Sequence, residues 1–324
     1  MDIHWSVIAH LAGIPIFESW PELKELSMRM ATRKPRGWTL LAIACQSVGG
    51  TFEQAIPASA AFVCMFFAIG LLDDMLDQDP RGEYHRIGAG QAANIASAFQ
   101  ALAAETLFAS KFPIETKLAM VYKINHMGLN TAFGQYLDIQ NPQTEDAYWE
   151  MVDTKSGLYF EPAFSLGALA GGATEETLQK FGQFGRLYGQ MIQIHDDLND
   201  AMAIPANPDW IQGRSPLPIL FARLVDHPDR PRFLELCRNI SRPEALKEAQ
   251  DILIRCGAVS YGVDQLIHRH RMAKELLESM ALVRRDEMEK LLEEFIAPAR
   301  KLFRSIGKKM PVSSILSGAK PGKS

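Results

Sequence analysis

Two aspartate clusters, each at the end of an apolar stretch, are the residues of this chain whose types and spacing could do chemistry. Asp73, Asp74 and Asp77 close the apolar run that begins at Phe66. Residues four apart share one face of a helix, so this spacing places Asp73 above Asp77, with Asp74 beside them. Carboxylates packed this closely repel one another unless cations neutralise them. Hard oxygen ligands of this kind suit Mg²⁺ together with substrate phosphates.

The same pattern returns far along the chain, where Asp196, Asp197 and Asp200 follow apolar residues at helical spacing. Acidic triplets are common on solvated helix faces, but the end of an apolar run is the wrong place for such a face. We therefore interpret the two clusters as parts of one functional constellation.

The elements that must position these clusters are predicted to be helices. Apolar runs over residues 57–77, 90–109 and 115–140 have helical character, and residues 261–296 are predicted as the clearest amphipathic helix of the C-terminal part. No stretch alternates in the manner of a strand. The sequence therefore predicts an all-α chain, a single large helical bundle of about ten or more helices over residues 1–306. A mobile tail is predicted at 307–324, where Lys, Ser, Gly and Pro dominate.

The composition excludes several classes of protein. The 324 residues are 47% hydrophobic and 22% charged, as in a globular protein with a large core. The net charge of −4, without a basic stripe, argues against nucleic-acid binding. Four scattered cysteines without Cys-x-x-Cys spacing argue against a zinc or disulfide framework. We expect no membrane span and no secretory signal, and a cytoplasmic location, because neither a long uninterrupted apolar run nor a basic leader is apparent.

The order and spacing of these motifs resemble the all-trans isoprenyl diphosphate synthase family over nearly the whole chain. Besides the two aspartate motifs, the resemblance rests on Lys155-Ser156-Gly157, Gln135-x-x-Asp138, Gln193 and Arg214 in Gly213-Arg214-Ser215-Pro216. It implies the isoprenoid synthase type of fold, in which the two aspartate motifs face each other across a central cavity. It also implies three Mg²⁺ ions that bind an allylic diphosphate, and a homodimer.

What the resemblance implies for individual residues is a set of catalytic, metal-binding and diphosphate-binding roles. The catalytic set is Asp73, Asp74, Asp77, Lys155, Gln193, Asp196, Asp197 and Asp200, of which the six aspartates are the metal ligands. The diphosphate-binding set is Arg33, Lys34, Arg36, Arg81, Lys155 and Arg214. The implied activity is that of a prenyltransferase that condenses isopentenyl diphosphate with an allylic diphosphate. Ionisation of the allylic diphosphate calls for Mg²⁺ and cationic donors, and the carbocation calls for a dry apolar cavity.

The site for the second diphosphate departs from the family pattern. The family has Gly-Lys with an arginine three residues on, whereas this chain has Arg33, Lys34 and Arg36. Phe66 stands where the family has histidine or glutamine, and Arg81 is the one arginine of a shortened loop. These changes leave the metal motifs intact and leave the choice of acceptor open. A solvated basic turn is the ordinary interpretation of residues 33–36.

The helix that precedes Asp73 is expected to set the length of the product. The residues expected to line a hydrocarbon tunnel are Phe62, Met65, Phe66, Ala68 and Ile69. The small Ala68 leaves room beyond a farnesyl chain, Met65 narrows the tube and Phe62 closes it. The sequence therefore favours geranylgeranyl diphosphate within a range of C15 to C25 products. On any other fold these aromatic residues would be ordinary core.

Two alternatives stay open. The altered second site also suits a class I terpene cyclase, or a prenyltransferase with a non-diphosphate acceptor such as an indole or a peptide. Residues 196–204 do not fit the Asn-x-x-x-Ser-x-x-x-Glu motif of cyclases, however. The second alternative is an idle regulatory subunit, although such a subunit has no need for six clustered carboxylates.

Overall fold

The computed structural model describes residues 2–305, and within them every regular element is a helix and no strand occurs. The prediction of an all-α chain is confirmed. The chain divides into two compact units: one runs to residue 193 and includes 275–288, and the other comprises 194–274 and the residues from 289 onward. The predicted domain boundary after residue 306 stays a prediction, and the predicted tail 307–324 lies outside the described residues.

The first unit is built from the N-terminal helices. In chain order they are α1 (Ile3–Leu11), α2 (Pro15–Ser19), α3 (Pro21–Thr32), α4 (Leu40–Ser47), α5 (Phe52–Leu76), α6 (Tyr84–Ile87), α7 (Ala89–Phe108), α8 (Ile114–Ile139), α9 (Glu145–Val152) and α10 (Leu158–Ala170). A 3₁₀ turn (Arg36–Thr39) precedes α4, and a π-turn (Asp153–Gly157) joins α9 to α10. Helix α11 (Glu175–Ala201) follows, and the boundary between the units falls after its Gln193.

Helix α5, which carries the first aspartate motif, begins five residues before the predicted start at residue 57. A capping box fixes this start: the Thr51 side chain accepts from the Gln54 backbone N–H, and the Gln54 side chain accepts from the Thr51 N–H. This arrangement satisfies two backbone donors that a helix start otherwise leaves without partners. At the other end Asp77 is the C-cap, and Gln78 adopts a left-handed conformation with φ of +54°.

Helix α5 is also the core of the first unit. It packs against α1, α4, α7, α8 and α10, and its middle is fully buried from Ala58 to Cys64. Among the described residues, this helix has the length and apolar composition of a membrane span. Yet 67% of its most apolar 18-residue stretch is buried within the protein, a feature that core helices of soluble proteins share. Because the core fixes α5, the carboxylates at its C-terminal end have a rigid base.

The second unit has its own core. Its helices are the end of α11, α12 (Pro208–Gln212), α13 (Leu217–Leu224), α14 (Arg230–Cys237), α15 (Pro243–Arg255), most of α16 (Ala258–Glu278) and the later part of α17 (Arg285–Ser305). Trp210 packs on Phe233 in this core, and its indole N–H donates to the Ala201 carbonyl at 3.1 Å. Gln250 donates to the same carbonyl and to that of Ala203. These bonds hold the C-terminal end of α11, which carries the second aspartate motif.

The prediction of one helix over residues 261–296 is wrong. The structure has two helices there, α16 and α17, separated by residues 279–284. One long-range and one local hydrogen bond lie at the break, and periodicity shows neither of them. Val283 donates its N–H to the Ser47 carbonyl at 2.8 Å, and Arg285 donates to the Met280 carbonyl at 2.7 Å.

Candidate active site

The first aspartate motif lies on the last turn of α5. Asp77 donates its backbone N–H to the Asp73 carbonyl at 2.9 Å, so the predicted helical relation of these two residues is present. Leu71, just before the motif, is buried in the core, whereas the carboxylates lie at the edge of the core. The chain then turns back, with Asp79 donating its N–H to the Asp74 carbonyl at 2.9 Å.

The electrostatics of this motif disfavour the ionised carboxylates in the absence of a cation. Burial raises the pKa of Asp73; Lys155 counteracts the rise, whereas the nearby charges of Asp77, Asp138 and Asp74 add to it. Burial also raises the pKa of Asp74. These raised pKa values mean that the ionised carboxylates are less stable here than in water. A bound cation would stabilise the ionised form.

Helix α8 presents a polar pair to this motif. Gln135 donates its side-chain N–H to Asp77 Oδ1 at 3.0 Å, and its own buried Oε1 has no hydrogen-bond partner. One turn on, Asp138 accepts from Lys155 Nζ at 2.7 Å. Burial alone would lower the pKa of Lys155, but the charges of Asp138 and Asp73 more than offset it and raise that pKa. Lys155 is therefore a firmly charged ammonium beside the carboxylates.

The π-turn places Lys155 and its neighbour. A Cβ on Gly134 of α8 would lie only 2.4 Å from the Lys155 Cα, so the two backbones touch where this glycine stands. Ser156 donates its hydroxyl to Gln193 Oε1 at 2.8 Å. The structure thus brings together the first aspartate motif and Lys155, and it joins Gln193 to the same turn.

A cavity of about 370 Å³ is lined by Arg33 and Arg81, which were predicted to bind diphosphate, and by Phe66, where the chain departs from the family pattern. Asp74 lines it as well, so it adjoins the first aspartate motif. The other lining residues are Leu26, Met30, Phe67, Gly70, Leu71, Asp79 and Glu83. Its walls therefore combine apolar residues with five charged ones.

The arginines of this cavity are already paired with acids. Arg81 contacts Asp79 through two nitrogens, at 3.1 and 2.8 Å, and Arg33 lies 3.8 Å from a Glu83 oxygen. Lys34, which was predicted to bind the same diphosphate, lies instead 2.8 Å from Asp2. Arg36 lies in the 3₁₀ turn before α4. Three carboxyl groups and two guanidinium groups line the cavity. Its lining therefore carries more negative than positive charge, which is unfavourable for binding a diphosphate.

The predicted tunnel residues follow one another down α5. Phe62, Met65 and Ala68 are buried, whereas Phe66 and Ile69 are half-buried. Met65 packs against α8 at Gly128, where a Cβ would come within 3.0 Å of its sulfur.

Tyr159 was not predicted, yet it completes this aromatic surface. Its ring centroid lies 6.2 Å from that of Phe62 and 6.1 Å from that of Phe66, and these two rings are 6.5 Å apart. Burial raises the pKa of the Tyr159 hydroxyl, and the negative charge of Asp73 adds to the rise. Its spacing from Lys155 gave no signal, because the π-turn over Asp153–Gly157 interrupts the α-helical periodicity between the two residues.

The second aspartate motif lies in the second unit. Asp197 is buried, and its Oδ2 accepts from the Leu217 backbone N–H at 2.6 Å, so it also caps the start of α13. Burial raises the pKa of Asp196, and His195 counteracts that rise. His195 contacts Asn199 at 3.0 Å, as a histidine on a helix face does.

Arg214, predicted to bind diphosphate, follows the left-handed Gly213 that ends α12. Its Nη1 lies 3.6 Å from Asp209. Arg223 secures the loop by donating to the Gly213 carbonyl at 3.2 Å and to the Ser215 hydroxyl at 2.5 Å. The role of Arg214 stays a prediction, as do those of Asp196, Asp197 and Asp200. Within residues 2–305 no three His, Cys, Asp or Glu side chains already stand in a metal-binding arrangement.

Comparison with known proteins decides the family. The family model described as "Polyprenyl synthetase" matches residues 29–253, which is more than half of the chain. The chain belongs to the polyprenyl synthetase family. This result confirms the predicted family and, at the level of the family, the predicted enzyme class of prenyltransferases.

Individual relatives agree with this assignment. A geranylgeranyl diphosphate synthase of Methanosarcina mazei is 30% identical over 190 residues, 54% of this chain, and the match spans only 56% of that relative's length. A short chain isoprenyl diphosphate synthase of Methanothermobacter thermautotrophicus is 27% identical, with 74% of this chain and 78% of the relative covered. The geranylgeranyl pyrophosphate synthetase structure from Pyrococcus horikoshii matches with a TM-score of 0.76 at 22% identity, over 91% of this chain and 98% of that one. The predicted isoprenoid synthase type of fold is confirmed.

Proposed function

We propose that this chain is a Mg²⁺-dependent short-chain trans-isoprenyl diphosphate synthase, which condenses isopentenyl diphosphate with an allylic diphosphate. The observation that carries the proposal is the Lys155 ammonium, held at 2.7 Å by Asp138 beside the carboxylates of α5. This arrangement would provide a fixed positive charge and a cation site beside the aromatic surface of Phe62, Phe66 and Tyr159. The family match and the names of the relatives support the same activity.

The donor set of the first motif fits Mg²⁺. Asp73, Asp74 and Asp77 supply carboxylate oxygens, and the Gln135 Oε1 is a buried acceptor without a partner. We propose that these three aspartates are metal ligands. For the second unit, considered by itself, we propose the same role for Asp196, Asp197 and Asp200. When bound, Mg²⁺ supplies positive charge that stabilises the departing diphosphate.

The chain's own groups account for the rest of the reaction. Lys155 would bind the allylic diphosphate and stabilise the charge that develops as its C–O bond breaks. Phe62, Phe66 and Tyr159 would line the path of the hydrocarbon and exclude water from the allylic cation. The double bond of isopentenyl diphosphate then forms the new C–C bond, and the released diphosphate accepts the proton that is lost. The test is diphosphate release, which we expect only when both substrates and Mg²⁺ are present.

We propose a product within C15 to C25, with geranylgeranyl diphosphate favoured. Ala68 and Phe62 are both fully buried, and the ring of Phe62 packs against Phe66 and Tyr159. The small side chain of Ala68 would obstruct a growing chain less than the ring of Phe62. A chain that grows past Ala68 would therefore meet the buried ring of Phe62 as its stop.

The excess of carboxyl groups in the cavity around Phe66 leads to a prediction about the acceptor substrate. Glu83 accepts from Arg29 at 3.2 Å and from Arg86 at 3.0 Å, in addition to its contact with Arg33. If isopentenyl diphosphate binds here, its charge opposes that of Glu83. Glu83→Gln should therefore lower the KM for isopentenyl diphosphate about fivefold, as expected for removal of one partly screened like charge. Steady-state kinetics with a saturating allylic substrate measure this.

The control for this prediction is Glu25→Gln. Glu25 also contacts Arg29, at 3.9 Å, but it is 66% exposed and does not line the cavity. Its replacement should leave both KM values unchanged. An unaltered KM for isopentenyl diphosphate in Glu83→Gln would place that substrate elsewhere.

The same acidic cavity favours a second candidate function, a prenyltransferase with a non-diphosphate acceptor. Its apolar walls include Phe66 and Phe67, which suit a flat aromatic acceptor such as an indole. In that case Glu83→Gln would not improve the use of isopentenyl diphosphate, and indole would be prenylated in its absence.

We also propose that the protein is a homodimer that uses the exposed face of α8. Seven large apolar side chains on one stripe of this helix are 48% to 66% exposed. They are Ile114, Leu118, Tyr122, Leu129, Phe133, Tyr136 and Ile139. A stripe of this length on a core helix is more than scattered surface residues account for and is typical of an interface.

Leu129→Glu should convert the dimer to a monomer at micromolar concentration, because it buries a charge in the apolar interface. Light scattering after size-exclusion chromatography measures the mass. The matched control is Ile254→Glu on α15, where an isoleucine of similar exposure, 55%, lies outside the stripe. A wild-type monomer, or a Leu129→Glu dimer, would contradict this interface.

We further propose a cytoplasmic location. Cys45 and Cys64 are buried free thiols, and Cys237 and Cys256 are partly buried and also free. Free thiols suit a reducing compartment.

A further inference from the structure

The turn that carries Lys155 is an unusual backbone element that needs support. Residues Asp153–Gly157 form a π-turn, closed by the Leu158 N–H, which donates to the Asp153 carbonyl. Such turns are less stable than α-helix and occur often at functional sites. The position of Lys155 therefore depends on what holds the turn.

The side chain of Asp153 ties this turn to α11. Arg186 donates to it through two nitrogens, from Nε to Oδ1 at 3.1 Å and from Nη2 to Oδ2. Gln190, one turn along α11, donates to Oδ1 at 2.9 Å. A bidentate arginine–carboxylate pair fixes both distance and orientation, which a single bond does not.

The backbone fits tightly between two helices. A Cβ on Gly189 of α11 would lie 2.1 Å from the Ser156 carbonyl oxygen, and one on Gly134 of α8 would lie 2.4 Å from the Lys155 Cα. Movement of the turn towards either helix is therefore blocked. The hydrogen bonds from Arg186 and Gln190 to Asp153 supply the remaining restraint, against movement of the turn along α11.

We infer that Arg186 and Gln190 are positioning residues, which act through Asp153 to hold the Lys155 ammonium at its place beside Asp138 and Asp73. Neither residue belongs to the motifs from which the active site was predicted. The inference rests on the proposed function, because it assigns diphosphate binding to Lys155. Arg186, Gln190 and Gln193 share one face of α11, so a single helix supports the whole turn.

The test is a double-mutant cycle on the full chain with Arg186→Met and Lys155→Met. Calorimetric titration with inorganic diphosphate and Mg²⁺ gives the affinity of each variant. Arg186→Met alone should weaken binding about tenfold, because a misplaced lysine no longer meets the phosphate oxygens. In the Lys155→Met background, the same change should have no further effect. An equal loss in both backgrounds, or an unchanged affinity, would overturn the inference.

Two further variants keep the test decisive. Gln190→Met removes one bond to Asp153 and leaves the ion pair, so it should weaken binding about threefold even if Arg186→Met does not fold. Arg284→Met is the control: its pair with Glu287 has exposures of 45% and 31%, against 43% and 27% for Arg186 and Asp153. It should bind diphosphate as the wild type does.

The binding measurement stands apart from turnover. A wild type that binds diphosphate but does not elongate would refute the proposed function and leave the inference testable by the cycle. A wild type that binds no diphosphate would overturn the inference itself.

Discussion

Replacement of Asp73 by asparagine is expected to lower kcat about 10³-fold while the protein stays folded. The carboxylate would hold a cation where negative charge develops on the departing diphosphate, and removal of one such stabilising group costs this much in other enzymes. Initial rates of diphosphate release, at saturating substrates and Mg²⁺, measure the effect.

The same substitution should raise the melting temperature of the ligand-free protein at neutral pH. Since burial raises the pKa of Asp73, its ionised form destabilises the folded state. That destabilisation sets in as the pH rises from the unfolded pKa through the folded one, and asparagine never acquires it. Scanning calorimetry in chelator at pH 4 and pH 7 should therefore show a larger difference between Asp73→Asn and wild type at pH 7.

The control is Asp251→Asn, at an exposed position on α15. It should change neither kcat nor the melting temperature. An Asp73→Asn variant with wild-type kcat would remove the first aspartate motif from the reaction.

Replacement of Phe62 by leucine or alanine should lengthen the product by at least one five-carbon unit. Phe62 is fully buried and contacts Phe66 and Tyr159, so its ring closes the aromatic surface that begins near Asp73. Removal of the ring leaves space at the point where the growing chain would end. Mass spectrometry of the diphosphates formed, with isopentenyl diphosphate in excess, gives the length distribution.

Phe62→Ala should also destabilise the protein by about 3–5 kcal/mol, which makes Phe62→Leu the safer variant. Phe99→Leu is the matched control, because Phe99 is equally buried and packs against Phe67 from α7. It should leave the product unchanged. An identical product from Phe62→Leu, Phe62→Ala and wild type would show that another group sets chain length.

The sequence predicted the fold correctly where a local hydrophobic pattern and chemically reactive residues occur in the same segment. An apolar run that ends in carboxylates predicted both α5 and the site at its end, and the spacing of Asp73 and Asp77 is helical as expected. Lys155 was identified by its motif, and the structure places it beside those carboxylates.

Contacts between distant segments could not be predicted from the sequence. The ion pair between Arg186 and Asp153 joins residues 33 positions apart, and no local sequence pattern predicts it. The bond from Leu217 to Asp197 gives that aspartate a structural role that the motif alone does not show. In the same way, Val283 leaves the helical pattern because Ser47 accepts its N–H.

The cavity around Phe66 shows a different limit of prediction from the sequence. The sequence placed Arg33, Phe66 and Arg81 in one site from their positions in a family pattern, and the structure brings them together. It did not predict that Asp79 and Glu83 would neutralise the two arginines, because acids in a loop and a helix start carry no signal of their own.

The most direct test of the central claim is one incubation of the purified protein with Mg²⁺ and farnesyl diphosphate, with and without isopentenyl diphosphate. We predict geranylgeranyl diphosphate by mass spectrometry when isopentenyl diphosphate is present, and unchanged farnesyl diphosphate when it is absent. A cyclised hydrocarbon formed without isopentenyl diphosphate would contradict this account and indicate a terpene cyclase. No consumption of dimethylallyl, geranyl or farnesyl diphosphate under either condition would contradict it too, and would indicate a regulatory subunit.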